Sequence, residues 1–318
     1  MAEKNYDVFE KYDFTVNDTK KGRGVIIADT DKGPKVLAEY TGSGNFVECT
    51  AKILDAIDIK TDNYIKNKEG AYISTGSDGV RYVVKEWYAC RDCDIKSFGD
   101  ITASMRMLAK LHNELLNFSH TFFKYEGANP RDEMKKKNNE IYRVRKYLCR
   151  KNNRNEFEML AYRHCEKFIK EGDAAIRAME NFNDIDMVTK GICHGNYNYH
   201  NICFMGSECI IINFRKMHYD YLMMDVYHIM RKILEKYDWD IKLGHKLLSE
   251  YDSVRPLNEA QVTFLGIMFS YPEKFWKIIN SYNNSRKTRM FNKNCEKLSK
   301  IVAQNEKRWE FIRTLWYN

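Results

Sequence analysis

A change in hydrophobic pattern near residue 100 constrains the fold of this 318-residue chain more than any other feature. Before the change, short β-rich runs flank turns that contain glycine and aspartate, which is typical of β-hairpins. Strands are expected at 25–27, 35–40, 71–74 and 81–88, and apolar residues at helical spacing predict one helix at 45–58.

After the change, apolar residues recur every three or four positions, which places them on one face of a helix. The first such run comprises Ile101, Met105, Leu108, Leu111 and Leu115. Further helices are expected at roughly 131–151, 155–181, 222–237, 241–251, 258–268, 272–283 and 293–316, interrupted by a loop and β-hairpin at 191–214. The sequence therefore predicts an α+β fold, with a small antiparallel β-rich lobe at 1–93 and a larger helical lobe at 94–318.

The composition excludes several classes of protein. A hydrophobic share of 44% and an aromatic share of 14% exclude a mainly disordered chain. No run approaches the roughly 18 consecutive apolar residues of a membrane helix. The N-terminus is charged from Glu3 onward and lacks the apolar region of a secretory signal, so we expect synthesis in the cytoplasm without a signal peptide and no membrane partner.

Most of the net charge of +8 lies in one segment, 131–154. Ten of its residues are basic and three are acidic, which leaves +7. Such a segment suits an anionic partner such as a nucleic acid, a polyanionic glycan or a phosphorylated ligand, and a solvated helix face is the other interpretation. No aromatic-rich binding sheet or zinc module accompanies it, so nucleic acid is the less favoured partner.

The nine cysteines do not have the spacing of a disulfide framework, and without a signal peptide reduced thiols are expected. Cys90 and Cys93 form a CxxC pair, which could serve zinc or redox chemistry. A structural zinc site needs four ligands, and no second CxxC or HxxxH pair follows. The sequence therefore disfavours a metal or redox function at this pair.

The loop that interrupts the helices carries candidate catalytic residues. It reads HGNYNYHN at 194–201, followed by INFR at 212–215. The loop resembles the HGDxxxxN loop of aminoglycoside phosphotransferases and choline-kinase-like enzymes, and INFR lies where those families carry an aspartate-containing motif. The resemblance implies a protein-kinase-like bilobal fold.

Over residues 10–315 the chain resembles CotS-type spore coat proteins. The matching segments are KKGRG at 20–24, NKEG at 67–70, IST at 73–75, KEW at 85–87, LAKLH at 108–112, HG at 194–195, MRK at 230–232, YD at 251–252, VRP at 254–256 and YPEKFW at 271–276. This resemblance implies a protein that is made in the mother cell and assembled into the spore coat. Its implied partners are other coat proteins or a coat polysaccharide.

Phosphoryl transfer needs a strand lysine on the phosphates, metal ions held by an aspartate and an asparagine, and an aspartate base near the acceptor. The resemblance places the strand lysine at Ala38, with Lys35 on the opposite face of the strand, and its helix partner at Glu48. It places the catalytic aspartate at Asn196, close to His194 in the same loop.

The metal-binding positions of the resembling families fall on Asn201 and Asn213, and the nucleotide loop falls on Gly22 and Gly24. A neutral amide at position 213 is a poor ligand for Mg²⁺. Three groups that should be charged are therefore neutral, which removes most of the stabilisation of a transferring phosphoryl group. Arg215, beside the metal position, either binds an anion or forms a surface ion pair.

These residues favour a degenerate kinase-like scaffold that needs no cofactor. The alternative is a divergent small-molecule or sugar phosphotransferase that uses Mg-ATP, with Asp220 or Glu39 as the missing carboxylate. A sensor that binds ATP without hydrolysing it is a third hypothesis, disfavoured by the losses at positions 38 and 213. His194 is expected to shape the loop by bonding to backbone carbonyls and not to transfer protons. His200 is expected to have a structural or surface role, because no third ligand is evident that would complete a metal site with His194.

Overall fold

The computed structural model describes residues 6–22, 24–284 and 291–316. Within these ranges the chain forms two compact units. The first unit comprises the chain up to Tyr125 together with Gly191–Tyr219, and the second comprises Glu126–Lys190 and the chain from Asp220 onward. In the described ranges, no helix combines the length and the apolar character needed to cross a membrane.

An antiparallel six-stranded sheet forms the main part of the first unit. Its strands are β1 (Val16–Lys21), β2 (Ile26–Thr30), β3 (Lys35–Glu39), β4 (Tyr64–Ile65), β5 (Ile73–Thr75) and β6 (Arg81–Glu86). They lie in the order β1-β2-β3-β6-β4, and β5 also pairs with β6. The alternation of side chains along each strand gives this sheet two chemically different faces.

The register between β3 and β6 decides which side chains share a face. Val36 lies opposite Lys85 and Ala38 lies opposite Val83, so these four residues belong to one face. The other face carries an apolar cluster that joins the sheet to helix α1 (Tyr6–Phe9) and includes Val8, Phe9, Tyr12, Leu37, Tyr82 and Val84. Lys35 has the parity of Leu37 along β3, which places its side chain on the face opposite to Ala38.

Two longer helices complete this part of the unit, α2 (Gly44–Ala56) and α3 (Phe98–Leu115). Ser43 and Ser97 occupy their N-caps, and each side chain accepts a backbone N–H three residues later. In α3 the five apolar residues that predicted the helix are buried. The helical period in the sequence therefore reports the buried face.

The loop region contributes the remaining strands. Strands β7 (Arg91–Asp92), β9 (Ile202–Met205) and β10 (Glu208–Ile211) form a three-stranded sheet, and β8 (Lys190–Cys193) pairs with β11 (His218–Tyr221). Cys90 and Cys203 are joined by a disulfide bond across a sequence separation of 113 residues. The expectation of reduced thiols is therefore wrong for these two cysteines, whereas Cys93 is a free and buried thiol.

The second unit is helical in its described residues. It contains α4 (Pro130–Arg150), α5 (Glu156–Glu180), α6 (Met223–Leu234), α7 (Ile241–Asp252), α8 (Glu259–Ser270), α9 (Glu273–Asn284) and α10 (Phe291–Trp316). Asn155 and Asn258 begin α5 and α8 with complete capping boxes. One core cluster joins α4, α5, α9 and α10, in which the rings of Phe168 and Phe275 stack with centroids 4.1 Å apart.

The predicted α+β class, with its antiparallel N-terminal sheet, is confirmed. The predicted helices agree with the observed ones to within a few residues at either end. The sequence pattern misses β1, whose residues VNDTKK are largely polar and exposed, and several strands of two to four residues. The lobe boundary at residue 93 stays a prediction.

Candidate functional site

The loop at 194–201 is built around the ring of His194, which is fully buried. Its Nδ1 accepts the backbone N–H of Asn196 at 3.1 Å. Its Nε2 lies 3.1 Å from the carbonyl oxygen of Ile212, and because Nδ1 is an acceptor, Nε2 carries the proton and donates it. His194 therefore holds two backbone segments together as a neutral imidazole.

Gly195 makes the close approach in this loop possible. Its φ of 73° is in the left-handed region that favours glycine. A Cβ at this position would lie 1.9 Å from the carbonyl oxygen of Lys216 and 2.6 Å from Nδ1 of His218. The glycine is thus required by sterics as well as by its backbone angle.

A network of asparagine side chains follows the histidine. The carbonyl oxygen of Asn196 accepts hydrogen bonds from Nδ2 of Asn198 at 2.6 Å and from Nδ2 of Asn201 at 2.8 Å. Oδ1 of Asn201 in turn accepts a hydrogen bond from Nδ2 of Asn213 at 3.2 Å. The structure therefore brings together the predicted catalytic position and both predicted metal positions.

The hydrogen bond between Asn201 and Asn213 bears on whether this site can bind a metal ion. A hard metal ion such as Mg²⁺ needs two oxygen atoms facing it from these positions. Here an N–H donor of Asn213 faces the oxygen of Asn201, so this bond occupies one donor of the first amide and one lone pair of the second. Among the described residues, no group of three His, Cys, Asp or Glu side chains has the arrangement of a metal site. At these two positions the residues present offer neutral amides and no carboxylate, which is a poor fit for Mg²⁺.

Asp62 and Lys85 are additional members of the site that the motif comparison does not identify. The backbone N–H of Asn213 donates to both carboxylate oxygens of Asp62, at 3.0 and 3.1 Å. Nζ of Lys85 donates to Oδ2 of the same carboxylate at 2.8 Å, and the two side chains are only 5% and 13% exposed. A buried ion pair therefore contacts the backbone of Asn213, one of the two predicted metal positions.

The electrostatics of Lys85 favour its charged form. Burial by itself would lower the pKa of Lys85, but the negative charge of Asp62, the contact with Tyr64 and the hydrogen bond to Asp62 outweigh it and raise that pKa. Nζ lies 4.6 Å from the centre of the Tyr64 ring. Lys85 is thus a buried cation on the same face of the sheet as Ala38.

The lysine–glutamate pair of the resembling families is absent among the described residues at these positions, as the alanine at position 38 led us to expect. Lys35, on the opposite face, donates to Oε2 of Glu86 and to the carbonyl oxygen of Lys32, each at 2.8 Å. Glu48 lies on α2 and pairs at 3.0 Å with Lys52, one turn further along the same helix, where both side chains are 56% exposed. Ala38 is buried and contributes no charge.

The two glycines of the predicted nucleotide loop connect β1 to β2. The backbone N–H of Gly22 donates to the carbonyl oxygen of Val25 at 2.9 Å, and Gly24 has a φ of 74°. These features describe a tight turn between antiparallel strands. Arg23, which the resemblance includes in the KKGRG segment, lies outside the described residues.

The remaining predicted residues have structural contacts. Nη2 of Arg215 donates to the carbonyl oxygen of Glu39 at 3.1 Å, so its described hydrogen bond is to backbone and not to a carboxylate. The exposed His200 lies beside Tyr199, with ring centroids 4.2 Å apart and the ring planes tilted by 47°. Asp220 is buried in the second unit and accepts the backbone N–H of Tyr221 at 2.7 Å.

Residues 45–315 match the family model described as "Spore coat putative kinase YutH". The chain belongs to this spore coat family. No curated protein matches the chain by sequence. The family match extends from α2 to the last turn of α10, and so covers the asparagine network together with Asp62 and Lys85.

Solved structures with a similar fold are phosphotransferases. An aminoglycoside phosphotransferase from Alicyclobacillus acidocaldarius has a TM-score of 0.84 at 16% identity, covering 96% of this chain and 93% of its own. The AMP-bound Spectinomycin Phosphotransferase, APH(9)-Ia, has a TM-score of 0.68 at 10% identity, covering 96% and 97%. An ethanolamine kinase from Plasmodium vivax has a TM-score of 0.56 at 11% identity, covering 98% and 84%. These likenesses show that the fold of the chain is protein-kinase-like.

Proposed function

We propose that this protein serves in the spore coat as a catalytically inactive, kinase-like scaffold. Membership of the spore coat family supports the location. The hydrogen bond from Nδ2 of Asn213 to Oδ1 of Asn201 carries the argument for inactivity, because it uses internally the groups that should face a metal ion.

The electrostatics of the site also support the proposal. Catalysis of phosphoryl transfer depends on preorganised charges aimed at the transferring group. The cation of Lys85 is neutralised by Asp62, and both oxygens of Asp62 already accept hydrogen bonds. The catalytic position holds the neutral amide of Asn196. Little charge remains with which to bind a nucleotide or to stabilise a transition state.

Thermal unfolding in the presence of nucleotide tests the proposal. Purified protein is melted with ATP or GTP, each with and without Mg²⁺, Mn²⁺ or Ca²⁺, and an active aminoglycoside phosphotransferase serves as the positive control. A ligand at a hundredfold excess over its dissociation constant stabilises a protein by about 2.7 kcal/mol, a shift that is easily measured. We expect no metal-dependent rise for this protein, and a clear rise would overturn the proposal.

A divergent phosphotransferase is the second candidate, and the pair of Asp62 with Lys85 is the observation that favours it. An active enzyme could use these groups if substrate binding separated them. The test is transfer of the labelled γ-phosphate of ATP to sugars and amino alcohols. Turnover that disappears in an Asp62→Asn variant whose thermal melt shows it to be still folded would support this candidate, whereas turnover that survives would indicate a contaminating enzyme.

Association is the activity that the scaffold proposal assigns to the protein. Its partners would be other coat proteins or a coat polysaccharide, reached after synthesis in the mother cell and without a cofactor. Fractionation of spores followed by detection of the protein in the coat extract tests the location. Recovery of the protein only from the spore core would contradict it.

A further inference from the structure

Helix α4 carries most of the basic segment, and its buried and exposed faces are clearly separated. Met134, Asn138, Ile141, Val144 and Leu148 are buried at spacings of four and three. The face turned away from them is exposed at Arg143, Lys146, Tyr147 and Arg150. This outer face therefore belongs to the surface of the second unit.

Seven of the ten basic side chains in the segment already have partners within this unit. Six form ion pairs, Arg131 with Asp132, Lys135 with Glu180, Lys136 with Glu133, Lys137 with Glu133 and Glu273, Arg145 with Glu166, and Lys151 with Glu158. Arg154 donates to the carbonyl oxygens of Leu148 and Cys149. Fewer basic side chains of this segment are therefore available to an external partner than the sequence indicates.

Arg143, Lys146 and Arg150 remain without an ion-pair partner among the described residues. Their spacing of three and four residues aligns them along one helix face over about 10 Å, at a rise of 1.5 Å per residue. We call these three residues the α4 cation stripe. Residues of one sign at this spacing repel one another, which an opposite charge on a partner would relieve.

The α4 cation stripe is bordered by surface cavities and by two exposed tyrosines. All three residues line two shallow surface cavities that are open to solvent and lie between exposed side chains of α4 and its C-terminal end. Tyr142, 42% exposed, belongs to the lining of the first cavity, and Tyr147, 44% exposed, belongs to the second. Arginine and tyrosine are the residues that most often carry the energy of protein–protein contacts.

The number of available cations decides which kind of anion fits. Affinity for the nucleic-acid backbone grows with the number of phosphates that Lys and Arg neutralise, and the stripe offers only three cations for this purpose. A helix of a partner protein with carboxylates at i, i+3 and i+7 has the same rise per residue and presents three negative charges at matching intervals. We propose that the α4 cation stripe, flanked by Tyr142 and Tyr147, is a docking surface for an acidic helical segment of another protein.

This inference rests on the proposed function in one respect, since it names a surface for the association assigned there. The stripe would bind its partner whether or not the kinase-like site is active, so failure of the peptide test is distinguishable from failure of the nucleotide test. Its test measures binding of a fluorescein-labelled, alanine-rich 20-residue peptide with glutamates at i, i+3 and i+7, by anisotropy at low and moderate salt. Short single-stranded DNA and oligogalacturonate serve as competing probes. Both are polyanions without an acidic helix.

The decisive variant is the triple change Arg143→Gln, Lys146→Gln and Arg150→Gln. Its matched control is the triple change Lys293→Gln, Lys297→Gln and Lys300→Gln, which removes the same charge from an exposed face of α10 at similar spacing. Neither of the two cavities includes the α10 residues. We expect the first variant to weaken peptide binding about tenfold or more, and the control to change it less than threefold.

A second variant separates the protein partner from other polyanions. Tyr147→Ala keeps all the charges and removes one flanking ring, so it should weaken binding of the peptide more than binding of DNA. Equal losses in the stripe variant and in the α10 control would overturn the proposal. So would tighter binding of DNA or oligogalacturonate than of the peptide at moderate salt. Thermal melts of all variants check that the second unit remains folded.

Discussion

The asparagine network of the first unit and the α4 cation stripe of the second use polar groups in opposite ways. The side-chain amides of Asn201 and Asn213 each donate a hydrogen bond to an oxygen of the same chain, and the buried charge of Lys85 has its partner in Asp62. Along α4, three cations have no ion-pair partner in the described part of the chain. The comparison teaches that the residues that resemble an enzyme's active site and the residues proposed to bind a partner lie in different units of this protein.

The largest effect is expected from Asp62→Asn. The change removes the charge that neutralises Lys85 and leaves a buried cation unpaired, which should lower the free energy of unfolding by about 3 kcal/mol. Urea denaturation measures the loss. Glu48→Gln is the matched control, because its ion pair with Lys52 is exposed and should contribute far less to stability. Equal losses in the two variants would mean that the buried ion pair of Asp62 with Lys85 contributes no more to stability than an exposed pair.

A smaller, pH-dependent effect is expected from Glu273→Gln in the second unit. Burial would raise the pKa of Glu273, but Lys137, Lys277 and Arg231 together lower it. A carboxyl group with a lowered pKa adds stability above its ordinary pKa and loses it as the pH falls through the folded value. The variant should therefore be less stable by about 1–2 kcal/mol near neutral pH, with the difference shrinking below about pH 4.5. Denaturation series from pH 7 to 3 measure it, and a constant difference would contradict the assignment.

Asn213→Asp sharpens the comparison by restoring a charge to the first site. The new oxygen would face Oδ1 of Asn201 and lie close to Asp62, so stability should fall by about 1 kcal/mol without metal. Millimolar Mg²⁺ or Ca²⁺ should then raise the melting temperature of the variant and leave the wild type unchanged. If these ions raised the melting temperature of the wild type by the same amount, the interpretation that its two asparagines do not hold a metal ion would be contradicted.

The smallest effect is expected from the triple glutamine variant of the α4 cation stripe. Exposed side chains without partners contribute within about 0.5 kcal/mol to stability, so the urea midpoint should be nearly unchanged. A large loss would show that the stripe is part of the folded core of the unit. The three cations would then have partners within the unit, as the groups of the asparagine network do, and the contrast between the two regions would be lost.

The sequence was sufficient for the features that depend on local periodicity. The apolar residues from Ile101 to Leu115 predicted α3 because a helix repeats every 3.6 residues. The motif comparison also placed Asn196, Asn201 and Asn213, which the fold brings together. These predictions needed only neighbours along the chain or a known motif.

The features that the sequence missed depend on pairs of residues that are distant along the chain. Asp62 is 23 residues from Lys85 and 151 residues from Asn213, so no spacing rule connects them. Cys90 stands next to Cys93 in a CxxC pattern but bonds to Cys203, because β7 and β9 are neighbours in the sheet. The narrowing of the basic segment to three cations likewise depends on acids such as Glu180 and Glu273, which α5 and α9 supply.

The bond between Cys90 and Cys203 also has a topological consequence. It closes a covalent ring that contains all of α3, α4 and α5, so every peptide bond between the two cysteines belongs to that ring. A single proteolytic cut anywhere in this ring would open it without releasing a fragment, and the two pieces would separate only after reduction. Molecules nicked once within this ring and not reduced would therefore keep α4 attached to the rest of the chain.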